Sequence, residues 1–273
     1  ANQLRFSDRS VDRYLERTSQ LQLAGDLART GTAVHSIRAV DPESLAVVAS
    51  TLDRPVHAHH SEQPEENTQA LAAHGRTPTQ VFFDAGVLSP ALTAVHATHL
   101  TPHDIRLLGE AGASVCFCPT TERDLADGIG PAIDLDTAGA RLCVGSDSHA
   151  VIDPFVEIRA IEMHERLASH RRGAFDSTDL LAAASRNGYR AIGWAEGGRI
   201  AVGAPADFVC IGSGSNRLAG ADLSLLSDTL VFSAGPGDVT DVVVAGRHVV
   251  TNGSHSMVET AETLDRAIRS LFA

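Results

Sequence analysis

Apolar positions along the chain switch period several times, and each switch predicts an element. Between residues 8 and 29 they fall at helical spacing, at Val11, Leu15, Leu21 and Leu27, which predicts one helix stopping before Gly31. Residues 32–40, TAVHSIRAV, read as a short strand. Asp41-Pro42-Glu43 opens a helix to about Leu52, with proline in the first turn, where a missing N–H breaks no hydrogen bond. PVHAHHS (55–61) is the next strand, and Pro64 to His74 a helix that Gly75 ends. Three more pairs follow: ALTAVHATHL (91–100) with a helix capped by Thr101, ASVCFCP (113–119) with a helix near Pro131, and ARLCVGSDSH (140–149) with a long helix from Asp153 to His170.

Strand followed by helix, five times between residues 32 and 170, predicts an α/β fold with a parallel sheet. Every strand ends in polar residues: His35 and Arg38, His59 and Glu62, His96 and His99, Cys118 to Thr121, Asp147 to His149. Polar groups at one end of every strand fit a (β/α)8 barrel of the TIM type, whose sites lie at the C-terminal strand ends. They fit an open sheet less well, because its ligands gather at one crevice. Five strands are present where a full barrel needs eight, so this chain is expected to hold about strands 4 to 8, with roughly 100 residues or more preceding them. Past a helical stretch ending near Trp194, GRIAVGAPADFVCI (198–211) and DVVVAGRHVVTNGSH (241–255) are short strands punctuated by glycine. The expected division is residues 1–196, the C-terminal part of a metal-dependent hydrolase barrel, and residues 197–273, a β-sandwich portion with a C-terminal helix.

Charge narrows the partners. A net charge of −12 argues against nucleic acid or anionic lipid, and an anionic substrate would need a local basic group. All 22 basic residues are arginine, which excludes Schiff-base lysine chemistry and a lysine-derived bridge between two metals. No apolar run is long enough to span a bilayer, and the N-terminus lacks the apolar stretch of a signal peptide. Cys116, Cys118, Cys143 and Cys210 form no C-x-x-C pair and read as reduced, mostly buried thiols of a cytoplasmic protein.

The richest stretch is PVHAHHSEQ (55–63). Alternation along a strand puts His57 and His59 on the inward face and His60 outward. Glu62 falls just past the strand end, where a carboxylate can carry protons for a metal held by His59. A second element is GSDSH (145–149): Asp147, after an apolar strand, can ligate a metal, or can cap a helix. With His96 as a third polar strand end, the set suits zinc, which takes imidazole and carboxylate and leaves a position for water. Iron suits similar ligands.

His59 with Glu62, His96 in VHATHL and Asp147 in GSDSH resemble the amidohydrolase superfamily in its mononuclear deaminase branch. GRIAVGAPADFV resembles the return of the chain into that superfamily's C-terminal β-sandwich. Within the branch, VHSIRAV, PVHAHHSEQ, AVHATHL, CPTTERDLADGI and VGSDSH are similar to the deiminases that act on N-formimidoyl-L-glutamate in histidine degradation. Two departures stand out: His60 replaces an apolar residue, and TERDLADG replaces a more usual TEANLGDG.

The resemblance implies a hydrolase of linear amidines with one divalent metal, most simply Zn2+. His59 and Asp147 would be ligands, with a further His-x-His upstream. Glu62 would shuttle protons, and His96 would orient the attacking water, so the implied catalytic set is Glu62, His96 and Asp147. His35 and Arg38 would bind substrate, with Arg38 gripping a carboxylate, and Thr121 and Glu122 would face it. The partner implied is a small acidic amidine, and the assembly a homodimer. A deaminase of purine or pyrimidine-like rings is the near alternative, although a chain only 4% aromatic offers little to stack a base. A non-catalytic scaffold is the distant one. His57, His60, His99 and His149 receive no catalytic role.

Overall fold

The computed structural model describes residues 7–23, 25–147, 151–257 and 260–272. Strands β1 (Thr32–Val34), β2 (Val56–His60), β3 (Leu92–His96), β4 (Ser114–Phe117) and β5 (Arg141–Val144) form one parallel sheet in chain order. Helices join consecutive strands, so the architecture is the expected α/β type with parallel strands. Val56 and Ala58 of β2 are buried, as are Leu92 and Ala94 opposite them in register. Leu45, Phe82, Leu108 and Leu135, from four different helices, are entirely buried and belong to the same core. Each large side chain withdrawn from water in this way contributes about 1.5–3 kcal/mol.

Local sequence explains the helix starts. Pro42, Pro64, Pro102 and Pro154 each stand in a first turn. The helix Pro102–Glu110 has a reciprocal capping box, in which Thr101 takes the Asp104 N–H and Asp104 takes the Thr101 N–H. The helices Pro64–His74 and Pro154–Ser169 end on residues in the left-handed conformation, Gly75 and His170.

Four expectations need correction. The first helix covers only Val11–Ser19, and Leu21, Leu23 and Leu27 beyond it are exposed; helical spacing without a surface to pack on does not sustain a helix. The strand expected over 32–40 stops at Val34, because the Ser36 carbonyl takes the N–H groups of Ala39 and Val40 in a turn. Two helices, Pro78–Asp84 and Pro119–Asp124, were not expected. In GRIAVGAPADFVCI only Phe208–Ile211 is a strand.

That strand, β6, heads a second sheet with β7 (Val239–Val244), β8 (Arg247–Thr251) and β9 (Ser254–His255), all antiparallel neighbours. A helix Thr260–Leu271 follows. The helix Leu226–Phe232 lies beyond residue 196, and its Val231 is wholly buried in the core cluster that the parallel strands share. Arg159 fastens it there by donating to the carbonyls of Val231 and Ala234. Among the described residues no helix is long and apolar enough to cross a membrane.

Candidate catalytic and metal site

The C-terminal ends of β2, β3 and β5 converge on three donors. One ligand atom each from His59, His96 and Asp147 lies within 4.8 Å of the others. His59 Nδ1 donates to the His35 carbonyl at 2.8 Å, which fixes the ring and leaves Nε2 as the nitrogen able to ligate. The His59 and His96 rings stack, with centroids 5.7 Å apart and planes 12° from parallel.

His96 reaches this position through its backbone. In register it stands opposite His60, and ordinary alternation would send both rings to the same face. His60 does turn to the helix layer, where it meets Phe82 edge-on and bonds Thr79 Oγ1 at 2.8 Å. His96 instead takes a φ of 71°, and Ala97 follows at 51°. This left-handed bend swings the ring inward. Asp147 has a φ of 41° and Ser61, before Glu62, a φ of 47°. L-residues rarely adopt such values, which cost about 1–3 kcal/mol each and cluster at functional sites.

Glu122 holds His96 from behind. One Glu122 oxygen accepts the Cys118 N–H at 2.8 Å and faces His96 Nδ1 at 3.3 Å. His96 Nε2 is buried without a hydrogen-bond partner, 3.8 Å from Glu62 and 3.7 Å from Asp147. Burial would lower the His96 pKa, but the Glu122 hydrogen bond and charge, then Glu62 and Asp147, raise it above its ordinary value. A buried imidazole nitrogen with no partner, beside a second free imidazole nitrogen and a carboxylate, is the donor chemistry of a divalent-metal site.

Glu62 spans two regions. Its Oε1 faces His96, and its Oε2 accepts from an Arg38 terminal nitrogen at 2.6 Å. Arg38 Nε donates to Ser36 Oγ at 3.2 Å and stands 3.8 Å from Glu66 Oε2. The same Glu66 oxygen accepts the Glu62 N–H at 3.1 Å. Burial raises the Glu66 pKa and Arg38 opposes the rise. His35, tilted against His59 with centroids 5.2 Å apart, has its pKa lowered by burial and then by His59 and Arg38.

The structure therefore brings His35, Arg38, His59, Glu62, His96 and Asp147 together. Thr121 and Glu122, expected to face the substrate, stand just past β4 beside this cluster. They sit within the helix Pro119–Asp124, buried, with Thr121 donating to the Ser146 carbonyl and Glu122 engaged on His96. Pro119 ends the strand early, since it cannot donate to a ladder. His57 donates to the Ala191 carbonyl at 2.8 Å, a packing contact. His99 bonds the Asp127 carbonyl at 2.7 Å, and Thr101 caps the next helix as expected. His149 lies outside the described residues. Two acids escaped sequence reasoning, Glu66 and Asp127. Asp127 is buried, accepts from the Gln63 amide at 3.0 Å, and has its pKa raised by burial and by Glu62. Its position in T-E-x-x-L-x-D-G was the available signal.

Comparison with known proteins bears on this geometry. The model of the amidohydrolase family matches residues 7–249. Formimidoylglutamate deiminase of Pseudomonas aeruginosa is 36% identical over 93% of this chain and 58% of its own length. The 8-oxoguanine deaminase of the same organism is 31% identical over 95% of this chain and 57% of its own. A crystal structure of an adenosine deaminase from Xanthomonas campestris, with bound zinc, superposes with a TM-score of 0.87 at 30% identity, covering 94% of this chain and 61% of that one. The chain thus spans less than two thirds of the proteins it matches.

Proposed function

The chain belongs to the amidohydrolase family, and from that premise we propose that it carries the deiminase activity that converts N-formimidoyl-L-glutamate and water to N-formyl-L-glutamate and ammonia. The observation that carries this reading is Arg38, a guanidinium brought to Glu62 at the edge of the His59–His96–Asp147 cluster in an otherwise acidic protein. A carboxylate-bearing substrate needs such a group, and a planar fork matches it. The 36% identity to a formimidoylglutamate deiminase supports the same substrate.

His59 and Asp147 are the proposed ligands of a divalent metal, zinc by analogy with the Xanthomonas campestris structure. Such a metal would supply Lewis acidity, making a water acidic enough to lose a proton near neutral pH. His96 Nε2, held from behind by Glu122, orients the attacking water. Glu62 Oε1, on the His96 side, takes the water proton and returns it to the departing nitrogen. The C–O bond forms at the formimidoyl carbon, the bond from that carbon to the terminal nitrogen breaks, and ammonia leaves. Arg38 and His35 hold the glutamyl carboxylates.

The test is product analysis with zinc-loaded protein expressed from its full reading frame, beside Glu62→Gln. Ammonia and N-formyl-L-glutamate, formed by the wild type and lost by about 100-fold or more in the variant, are expected for an acid–base residue. Formamide and glutamate would show cleavage at the other C–N bond and refute the mechanism. Turnover of ring amidines alone would favour the ring-deaminase reading, in line with the 8-oxoguanine relative.

A further inference from the structure

Arg38 and Glu62 are assigned to different tasks, yet they occupy each other. The Arg38 terminal nitrogen and Glu62 Oε2 are 2.6 Å apart, a charge-assisted hydrogen bond. Glu66 lies behind them with a wholly buried side chain, one oxygen shared between the Glu62 N–H and the neighbourhood of Arg38 Nε, the other without a hydrogen-bond partner. One cation therefore serves two carboxylates. Glu66 cannot leave, because it is buried and tied to the backbone of Glu62. The Glu62 side chain is 11% exposed and the Arg38 side chain 28%, so the pair they form is the part open to a ligand.

We propose that Arg38 is handed over: without substrate it holds Glu62, and a substrate carboxylate displaces Glu62 from it, releasing that side chain toward His96 and Asp147. This rests on the anionic-substrate reading above and adds to it a coupling between recognition and catalysis. A neutral amidine that reaches the site leaves Glu62 tethered to Arg38 through Oε2, so that Oε1 stays 3.8 Å from His96 Nε2 and cannot follow the proton to the departing nitrogen. Specificity for an acidic substrate then comes from the turnover step as well as from binding. Glu66 and Ser36 keep the guanidinium in place during the exchange, Ser36 through its 3.2 Å contact with Nε.

The exchange predicts that removing the internal competitor improves anion binding. Zinc-loaded protein is titrated calorimetrically with glutarate, and with glutaramide as the neutral control. Glu62→Gln should bind glutarate about tenfold more tightly than wild type, the scale of one lost charge-assisted hydrogen bond. Arg38→Met, alone or with Glu62→Gln, should lose that affinity, and glutaramide should bind all variants alike. Glu66→Gln removes the same formal charge without freeing the same N–H, so it should change the affinity less than about twofold. If Glu62→Gln leaves Arg38-dependent glutarate binding unchanged or weaker, the handover is wrong while the anionic-substrate reading stands. If Glu66→Gln folds and tightens binding as much as Glu62→Gln, simple charge removal explains both and the handover is again wrong. If Arg38→Met and wild type bind glutarate equally, the anionic-substrate reading itself falls.

Discussion

Glu162 lies in the middle of the helix Pro154–Ser169, with its side chain wholly buried. Its two oxygens take four donors: Arg166 Nε at 2.7 Å, and the N–H groups of Gly173, Ala174 and Phe175 at 2.8, 3.1 and 3.1 Å. The carboxylate thereby ties the helix to the turn that leads into the helix Ser177–Ala183. Glu162→Ala strands three backbone donors. The buried Phe175 N–H forfeits about 1–3 kcal/mol, and the two less buried ones, which water can reach, about 1 kcal/mol each, for roughly 3–5 kcal/mol in all. Glu162→Gln keeps one acceptor oxygen and should cost about half as much. Against a typical total stability of about 5–15 kcal/mol, either loss is measurable by urea unfolding at pH 7.

The pH dependence gives a second check. Burial pushes the Glu162 pKa up, but Arg166 and the backbone N–H groups outweigh it and hold the pKa below the ordinary 4.5. A depressed carboxylate contributes stability that is fully present above its unfolded value and is lost as pH falls through its folded value. The gap between wild type and Glu162→Gln should therefore be constant above about pH 5.5 and narrow below about 4.5. A Gln variant within about 0.5 kcal/mol of wild type at pH 7, or a gap that does not narrow in acid, would refute this account.

Three further outcomes follow from the packing and the site. A methyl group on Gly109 would lie 2.1 Å from the Ala138 carbonyl oxygen, backbone that cannot step aside; Gly109→Ala should lower stability by about 2 kcal/mol or more, seen as a drop in Tm. Glu122→Gln removes the charge behind His96 and should lower the proposed deiminase turnover by about 10–100-fold, while urea unfolding shifts little. His59→Asn should reduce zinc retained after dialysis by at least about tenfold, measured by atomic absorption, with His57→Asn as the variant that retains it.

Strand ends and helix caps were legible because their causes are local. Thr101 with Asp104, and Pro42 after Asp41, announce helices in a few residues. The same code was present at Thr77 and Gln80 and marks the missed helix Pro78–Asp84. The inward positions of His57 and His59 follow from period-two alternation. That His96 shares their side follows from a reversed φ that no alternation rule encodes. The pairing of Arg38 with Glu62 and the place of Glu66 behind it depend on how side chains from different elements meet. Spacing along the chain does not carry that information. Of the four cysteines expected to be mostly buried, Cys118 and Cys143 are buried, Cys116 is partly buried and Cys210 on β6 is exposed.

The left-handed residues at Ser61, His96 and Asp147 bear on transplanting this site. A designer who copied His59, Glu62, His96 and Asp147 onto another parallel sheet of regular strands would obtain the right letters facing the wrong ways, His96 first among them. The portable unit is three short backbone bends with their supporting hydrogen bonds, and the side chains are cargo on them.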